Sequence, residues 1–239
     1  RVLIKNKNLE IISCGPRLSE INKIHGRSCD WTYEIVKNKI SKIKIVNVYE
    51  NNLPSISRDS VWIILGSRYS VYDEIEWIDL FEKHIRKGIE NRVPMLGICF
   101  GHQIIGSAIG ASVVNNSEGW EVGSSKVSLT ETGRKSPLFK GFEDSFLVYE
   151  SHHDTVVDLP DKVELLAQNE YGLQSFSYED FIFGVQFHPE FSFEVMKAYY
   201  SARIKKIDNN KKYYVNNLNQ GLKVINNFIN IIKENKYNE

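Results

Sequence analysis

The chain has 239 residues, and its 30 basic and 30 acidic side chains cancel to a formal charge of zero. Such a balance offers no footprint for a phosphate backbone and no polybasic anchor, so nucleic acid and a membrane surface are not expected partners. No run approaches the roughly 18 apolar residues that would span a bilayer, and the N-terminal residues lack an export pattern. The three cysteines, Cys14, Cys29 and Cys99, are an odd number in a chain too long to need staples, which predicts reduced thiols in a cytoplasmic protein.

Apolar segments bounded by turn residues alternate with longer amphipathic ones, the pattern of βα units around a mostly parallel sheet flanked by helices. In chain order, Leu9 to Ser13 predicts a strand closed by Cys14-Gly15-Pro16, Trp31 to Ile40 a helix, and Ile43 to Tyr49 a strand. Val61 to Leu65 reads as a short buried strand broken by Gly66-Ser67, and Ile75 to Ile89 as an amphipathic helix. A strand over Arg92 to Ile98 then runs into a helix over Phe100 to Ile109, stopped by Gly110. Further strands are predicted at Ser125 to Thr130, Ser145 to Tyr149, Lys162 to Gln168, Leu173 to Tyr178 and Phe181 to Phe187. From about Phe193 a helical segment with a weak break at Lys205 to Lys212 runs onward. One domain over 1–200 is expected, with a helical extension over 201–239 packed on it.

Gly97-Ile-Cys99-Phe-Gly101 lies where the strand gives way to the helix. That layout matches a nucleophile elbow, in which a sharp turn lifts a reactive side chain above the sheet edge and glycines permit the strain and the close helix crossing. The helix N-terminus favours a thiolate and offers N–H groups to a developing oxyanion. Taken alone, the pattern fits a buried structural thiol as well as a nucleophile. Downstream, Gly184-Val-Gln-Phe-His188-Pro189-Glu190 delivers a histidine at a strand end with a carboxylate two residues on. By itself this is more often a polar turn; after an elbow cysteine it favours a base and its orienting acid.

With Met95 to Gln103 and Gly184 to Glu190 in this order, supported by Gly66-Ser67 and by Ser151-His152-His153-Asp154, the chain resembles the class I glutamine amidotransferases over roughly residues 8 to 195. The resemblance implies a flavodoxin-like α/β fold and hydrolysis of a γ-glutamyl amide through a thioester on Cys99, with His188 as base and acid and Glu190 orienting it. It further implies an oxyanion site at the N–H groups of Phe100 and of the Gly66-Ser67 turn. Gln103 and the segment Ser151 to Asp154 are implied to hold the substrate's amino-acid end, with no cofactor. The chain departs from the family at Arg68-Tyr69, where the turn is often glycine-rich, and at His153, which fills a glycine slot common in members that make GMP.

Two substrate classes follow. Hydrolysis of glutamine would release ammonia for a synthetase, which must be a separate chain since no P-loop is present. The segments Gly119 to Gly123 and Ser151 to Asp154 resemble those of free-standing γ-glutamyl peptidases, the second reading. A silent scaffold is a third, opposed by the presence of all three triad residues. No metal is expected at His152, His153 and Asp154, because adjacent side chains of an extended segment point apart and no spaced partners complete a site. Cys14 and Cys29 read as inert, and Trp120 reads first as packing. Tyr213, Tyr214, Leu218, Leu222, Ile225 and Phe228 read as a stripe that docks on the domain or a partner.

Overall fold

The computed structural model describes residues 3–16, 18–207 and 211–234. Its strands are β1 (Ile4–Ser13), β2 (Ile40–Asn47), β3 (Ser60–Ile64), β4 (Met95–Ile98), β5 (Ser112–Asn115), β6 (Glu121–Leu129), β7 (Ser145–His152), β8 (Asp154–Val157), β9 (Val163–Asn169), β10 (Gly172–Tyr178) and β11 (Ile182–Val185). Its helices are α1 (Ser19–His25), α2 (Ser28–Val36), α3 (Glu76–Glu90), α4 (Phe100–Ala108), α5 (Glu131–Lys135), α6 (Phe193–Ile204) and α7 (Lys223–Glu234). None of the described helices is long and apolar enough to cross a membrane.

A nine-stranded sheet has the order β2-β1-β3-β4-β11-β10-β9-β6-β7, and β5 pairs with β8 beside it. The neighbours β2, β1, β3, β4 and β11 run parallel, with Ile63 opposite Leu96 and Ile98 opposite Val185. From β10 outward the pairing turns antiparallel. The central core strands are thus mostly parallel, and the antiparallel hairpins extend the sheet on one side.

Period-two alternation within the buried strands splits the core into two faces. Ile11, Ile63, Leu96 and Phe183 pack with α2 and α7 on one face, while Ile12, Ile64, Met95 and Ile182 pack with α3 and α4 on the other. Both faces are covered, which is why these strands read as continuous apolar runs. A third cluster, with Val195, Met196 and Tyr199 of α6 around Tyr149 and Phe191, closes the end of the antiparallel half.

Several boundaries differ from expectation. The first strand begins at Ile4, because its early residues pair with Ile40 at the start of β2 across an irregularity. The helix expected to reach Ile40 stops at Val36, since Ile40 already belongs to that strand. The four-residue strands β5, Ser-Val-Val-Asn, and β8, Asp-Thr-Val-Val, carry no apolar-polar alternation to read. The expected domain boundary at residue 200 falls inside α6, and residues 211–219 form an extended strap across β6 before α7 begins. Tyr214 O accepts from Ser124 N–H at 2.8 Å, and Tyr213 Oη donates to Trp120 O at 3.0 Å. Accordingly the predicted C-terminal stripe is split: Ile225 and Phe228 are buried, whereas Tyr214, Leu218 and Leu222 are exposed.

Candidate active site

Parallel neighbours end at the same edge of a sheet, and loops at the C-terminal ends of the strands are where such folds hold ligands. Here β3, β4 and β11 deliver Gly66-Ser67, Cys99 and His188 to one edge. Cys99 caps α4 with φ +53° and ψ −108°, a conformation that costs a non-glycine residue on the order of 1–3 kcal/mol. The strain is held by the surroundings. Cys99 N–H donates to Val185 O at 2.9 Å, and Cys99 O accepts the first helical bond from Gln103 N–H at 3.0 Å.

The two elbow glycines have distinct steric reasons. A Cβ on Gly97 would lie 2.5 Å from the Gly101 carbonyl group and 2.6 Å from His102 N, and one on Gly101 would lie 2.0 Å from Ile64 O. All three contacts are with backbone, so α4 can cross β3 and β4 this closely only without side chains there.

His188 is wholly buried, and its Nδ1 lies 2.9 Å from Glu190 Oε1. An ionised carboxylate accepts only, so Nδ1 carries the proton and Nε2 is the basic nitrogen. The ring stacks on Phe191 with centroids 4.0 Å apart at 10°, and Phe191 stacks in turn on Tyr199. Main-chain bonds fix the same residue: His188 N–H donates to Tyr149 O at 2.8 Å, and Asn219 Nδ2 donates to His188 O at 2.9 Å. The last contact comes from the strap before α7.

In front of Cys99 opens a cleft of about 80 Å³, lined by Ser67, Phe100, Gln103 and the segment Ser151 to Asp154. Arg68, Tyr69, Trp120 and Arg203 form the remainder of its wall. Gly66 lies buried behind Ser67, where the chain leaves β3. Gln103 Nε2 donates to Asp154 O and to Gln186 Oε1, both at 3.1 Å, which leaves its carbonyl oxygen for the cleft. Of the site residues expected from the sequence, Ser67, Cys99, Phe100, Gln103 and Ser151 to Asp154 line this cleft and Gly66, His188 and Glu190 do not, but two of the lining side chains are engaged elsewhere. The Asp154 carboxylate accepts from Ser70 Oγ at 2.5 Å and Tyr72 Oη at 2.7 Å. Burial opposes its charge, yet hydrogen bonds from His153, Ser70 and Tyr72 hold its carboxyl below the usual carboxylate range. The His152 ring is buried among acceptors behind the cleft.

His153 stands at the cleft wall with its Nδ1 3.0 Å from Asp154 Oδ1 and its ring 4.5 Å from that of Trp120. Arg203 of α6 also packs on Trp120, 4.7 Å from the ring centroid. Trp120 is therefore a wall residue of the cleft. Cys14 and Cys29 are buried in the core, and burial pushes the Cys29 thiol up.

Sequence patterning missed the polar cluster behind the cleft. Glu121, Glu150 and His152 bring possible ligand atoms within 4.8 Å of one another, so His152 does have the acidic partners that its local sequence lacks. They come from β6 and β7, whose antiparallel register sets Glu121 opposite His152. His102, on α4, is held neutral by burial and by the nearby His152 charge, with its pKa pushed down to about 3.

A profile described as glutamine amidotransferase class-I matches residues 23–207. A glutamine amidotransferase-like protein of Schizosaccharomyces pombe is 34% identical over 172 residues, covering 70% of this chain and 64% of the relative. The glutamine-hydrolyzing GMP synthase subunit of Saccharolobus solfataricus is 37% identical over 130 residues, 54% of this chain and 65% of that one. Gamma-glutamyl peptidase 5 of Arabidopsis thaliana is 29% identical over 138 residues, 56% of this chain and 55% of the peptidase. The chain thus spans under two thirds of the length of each of these relatives. A solved glutamine amidotransferase from Thermotoga maritima shares the fold with a TM-score of 0.71 at 22% identity, covering 95% of this chain and 97% of that one. The matched profile takes in Cys99, the His188–Glu190 pair and the residues that line the cleft, and the chain belongs to the class I glutamine amidotransferase family.

Proposed function

We propose that this chain hydrolyses the amide of a γ-glutamyl compound by way of a thioester on Cys99, with glutamine as substrate and glutamate and ammonia as products. The observation that carries the reading is the strained Cys99 at the α4 N-terminus, tied to Val185 three residues before the histidine that pairs with Glu190. In the first step the Cys99 sulfur attacks the amide carbon while His188 Nε2 takes the thiol proton. The tetrahedral oxyanion is held by N–H groups of Phe100 and of the Gly66-Ser67 turn. Its collapse breaks the C–N bond, and the His188 proton leaves with the nitrogen as ammonia. Water then gives a proton to His188 and its oxygen to the acyl carbon, releasing glutamate and restoring the thiol. Gln103 Oε1 accepts from the substrate's α-ammonium, and the Ser151 to Asp154 backbone shapes the same end of the pocket. The ammonia acceptor is a synthetase on a separate chain, by analogy with the related GMP synthase subunit.

A second reading is favoured by the cleft wall. His153, Trp120 and Arg203 add aromatic and cationic surface suited to a leaving group larger than ammonia, that is, the amine of a γ-glutamyl peptide. Glutamate release from glutamine and from γ-glutamyl dipeptides, with C99S as the blank, decides between them. Faster turnover of glutamine supports an ammonia donor; faster turnover of the dipeptides makes it a peptidase. C99S keeps the shape and loses the far better nucleophile, so its activity is expected to vanish while its melting curve stays in place. Retained turnover in that variant would remove Cys99 from the mechanism.

A further inference from the structure

The cluster behind the cleft contains a group for which the reaction above has no use. Glu150 is fully buried, and neither of its carboxyl oxygens has a hydrogen-bond partner among the described residues. The two groups that share the cluster with it, His152 and Glu121, are hydrogen-bonded. His152 Nδ1 is 2.8 Å from Asp154 O, and its Nε2 is 2.8 Å from Glu121 Oε2 and 3.3 Å from Glu150 Oε2. Both ring nitrogens face oxygen acceptors, so the ring carries both protons and is an imidazolium. Its Nε2 proton goes to the nearer carboxylate, that of Glu121. Glu121 accepts further from Asn169 Nδ2 at 2.5 Å and Gln174 Nε2 at 2.9 Å, which marks it as the ionised partner. Glu121 and His152 therefore neutralise each other, and a charge on Glu150 would stand uncompensated in a dry site.

Glu150 also has a defined place relative to the triad. It follows Tyr149 on β7, and Tyr149 O receives the His188 N–H at 2.8 Å. The charged and titratable groups acting on it are Glu121 of β6, His152 of its own strand and His188 beyond β11. From β10 comes the neutral amide of Gln174. Burial first, then repulsion from Glu121, pushes the Glu150 carboxyl up to about 8 against the pull of His152 and His188. Burial works against the charge on His152, but the carboxyl groups of Glu121 and Glu150 raise it well above the ordinary histidine value.

We propose that Glu150 is a positioning residue for His188: it stays a neutral carboxylic acid during turnover, so that Glu190 alone sets the charge balance of the triad imidazole. The proposal rests on the reading of Cys99 and His188 given above. Once ionised, Glu150 adds a second carboxylate near His188 and stabilises the imidazolium. His188 then gives up its proton to the leaving group less readily, and less of it is neutral for activating water. Loss of the Glu150 proton therefore slows both halves of the cycle, and the sign is a decline as pH rises through about 8. A divalent cation is the competing occupant of the same three ligands. The hydrogen bonds argue against it, because both oxygens of Glu121 already accept from the Asn169 and Gln174 amides, and His152 Nε2 directs its proton at the same carboxylate.

Three measurements on the full chain test this. Rates on the better γ-glutamyl substrate from pH 6 to 9.5, each set relative to its own pH 7 value, are expected to fall about threefold or more by pH 9 in the parent and to stay level in E150Q. Superimposable profiles would overturn the proposal. Infrared spectra are expected to show a protonated-carboxyl band at pH 6 that is absent at pH 9 and absent at both values in E150Q. This readout needs no turnover, so it stands even if the thioester reading fails, and the parent spectra alone serve if E150Q does not fold. Absence of the band at pH 6 overturns the proposal, as does one equivalent of bound divalent metal by elemental analysis of the purified protein.

Discussion

At the residue scale, two buried carboxyl groups act on the His188 imidazole, one by contact and one through space, and are treated in opposite ways. Glu190 Oε1 meets the His188 Nδ1–H at 2.9 Å, so its charge is used where it sits. Glu150 makes no hydrogen bond with either oxygen among the described residues, so its charge is suppressed. The difference predicts how substitution at Glu190 behaves. Glu190→Gln keeps the volume but removes the negative charge that favours the imidazolium, and the amide can present N–H to Nδ1 and promote the wrong tautomer. A fall of about 10²- to 10⁴-fold in kcat is expected, with KM little altered, since the residue does not touch the cleft. His188→Ala is expected to lose more, because it removes the proton acceptor itself. Steady-state kinetics of both variants on the same substrate check the order; a Glu190→Gln rate equal to the parent's would take Glu190 out of the triad.

At the scale of elements, the site depends on how closely α4 crosses the sheet. Gly101→Ala places a methyl 2.0 Å from Ile64 O, a backbone atom of a central strand that cannot step aside. The helix must lift, carrying with it the Phe100 N–H proposed above to hold the oxyanion. Overpacking of this kind costs about 1–3 kcal/mol and often more when backbone is met, so a lower Tm and a loss of kcat are expected together. A variant that melts like the parent would show that the crossing tolerates a side chain. This strand-turn-helix was legible in the sequence because everything that defines it is local: an apolar run, two glycines four residues apart, and a helical stripe after them. The strand that leads to His188 was legible for the same reason, although it ends at Val185 rather than Phe187. Glu121, Glu150 and the Tyr199 ring behind Phe191 were not, because they are brought together only by the β6–β7 register and the packing of α6. The strap over 211–219 was equally hidden, since it meets β6 and β7 largely through its own main-chain atoms, which leave no pattern in side chains.

For the whole molecule, the parallel half of the sheet supplies Cys99 and His188, and the antiparallel half supplies the wall and the buried charges behind it. These halves are locked together from one face by α7. Val224, Ile225, Phe228 and Ile232 of that helix are buried in the same core as Leu96 and Phe183 of the parallel strands and Val127 and Leu166 of the antiparallel ones. Asn219, just before it, holds the His188 carbonyl. The C-terminal segment is therefore coupled to the site by packing and by a hydrogen bond, although no described side chain of α7 lines the cleft. Phe228 tests the coupling, since it is fully buried and sets its ring edge-on to Phe183 with centroids 6.3 Å apart. Phe228→Ala leaves a cavity under β11 and is expected to cost about 3–5 kcal/mol, read as a fall in the denaturant midpoint with m unchanged. Below that transition, kcat is expected to drop as well, because β11 carries the strand end that aims His188. A variant destabilised by that amount with full kcat would show that the helix supports the fold without setting the geometry of the site.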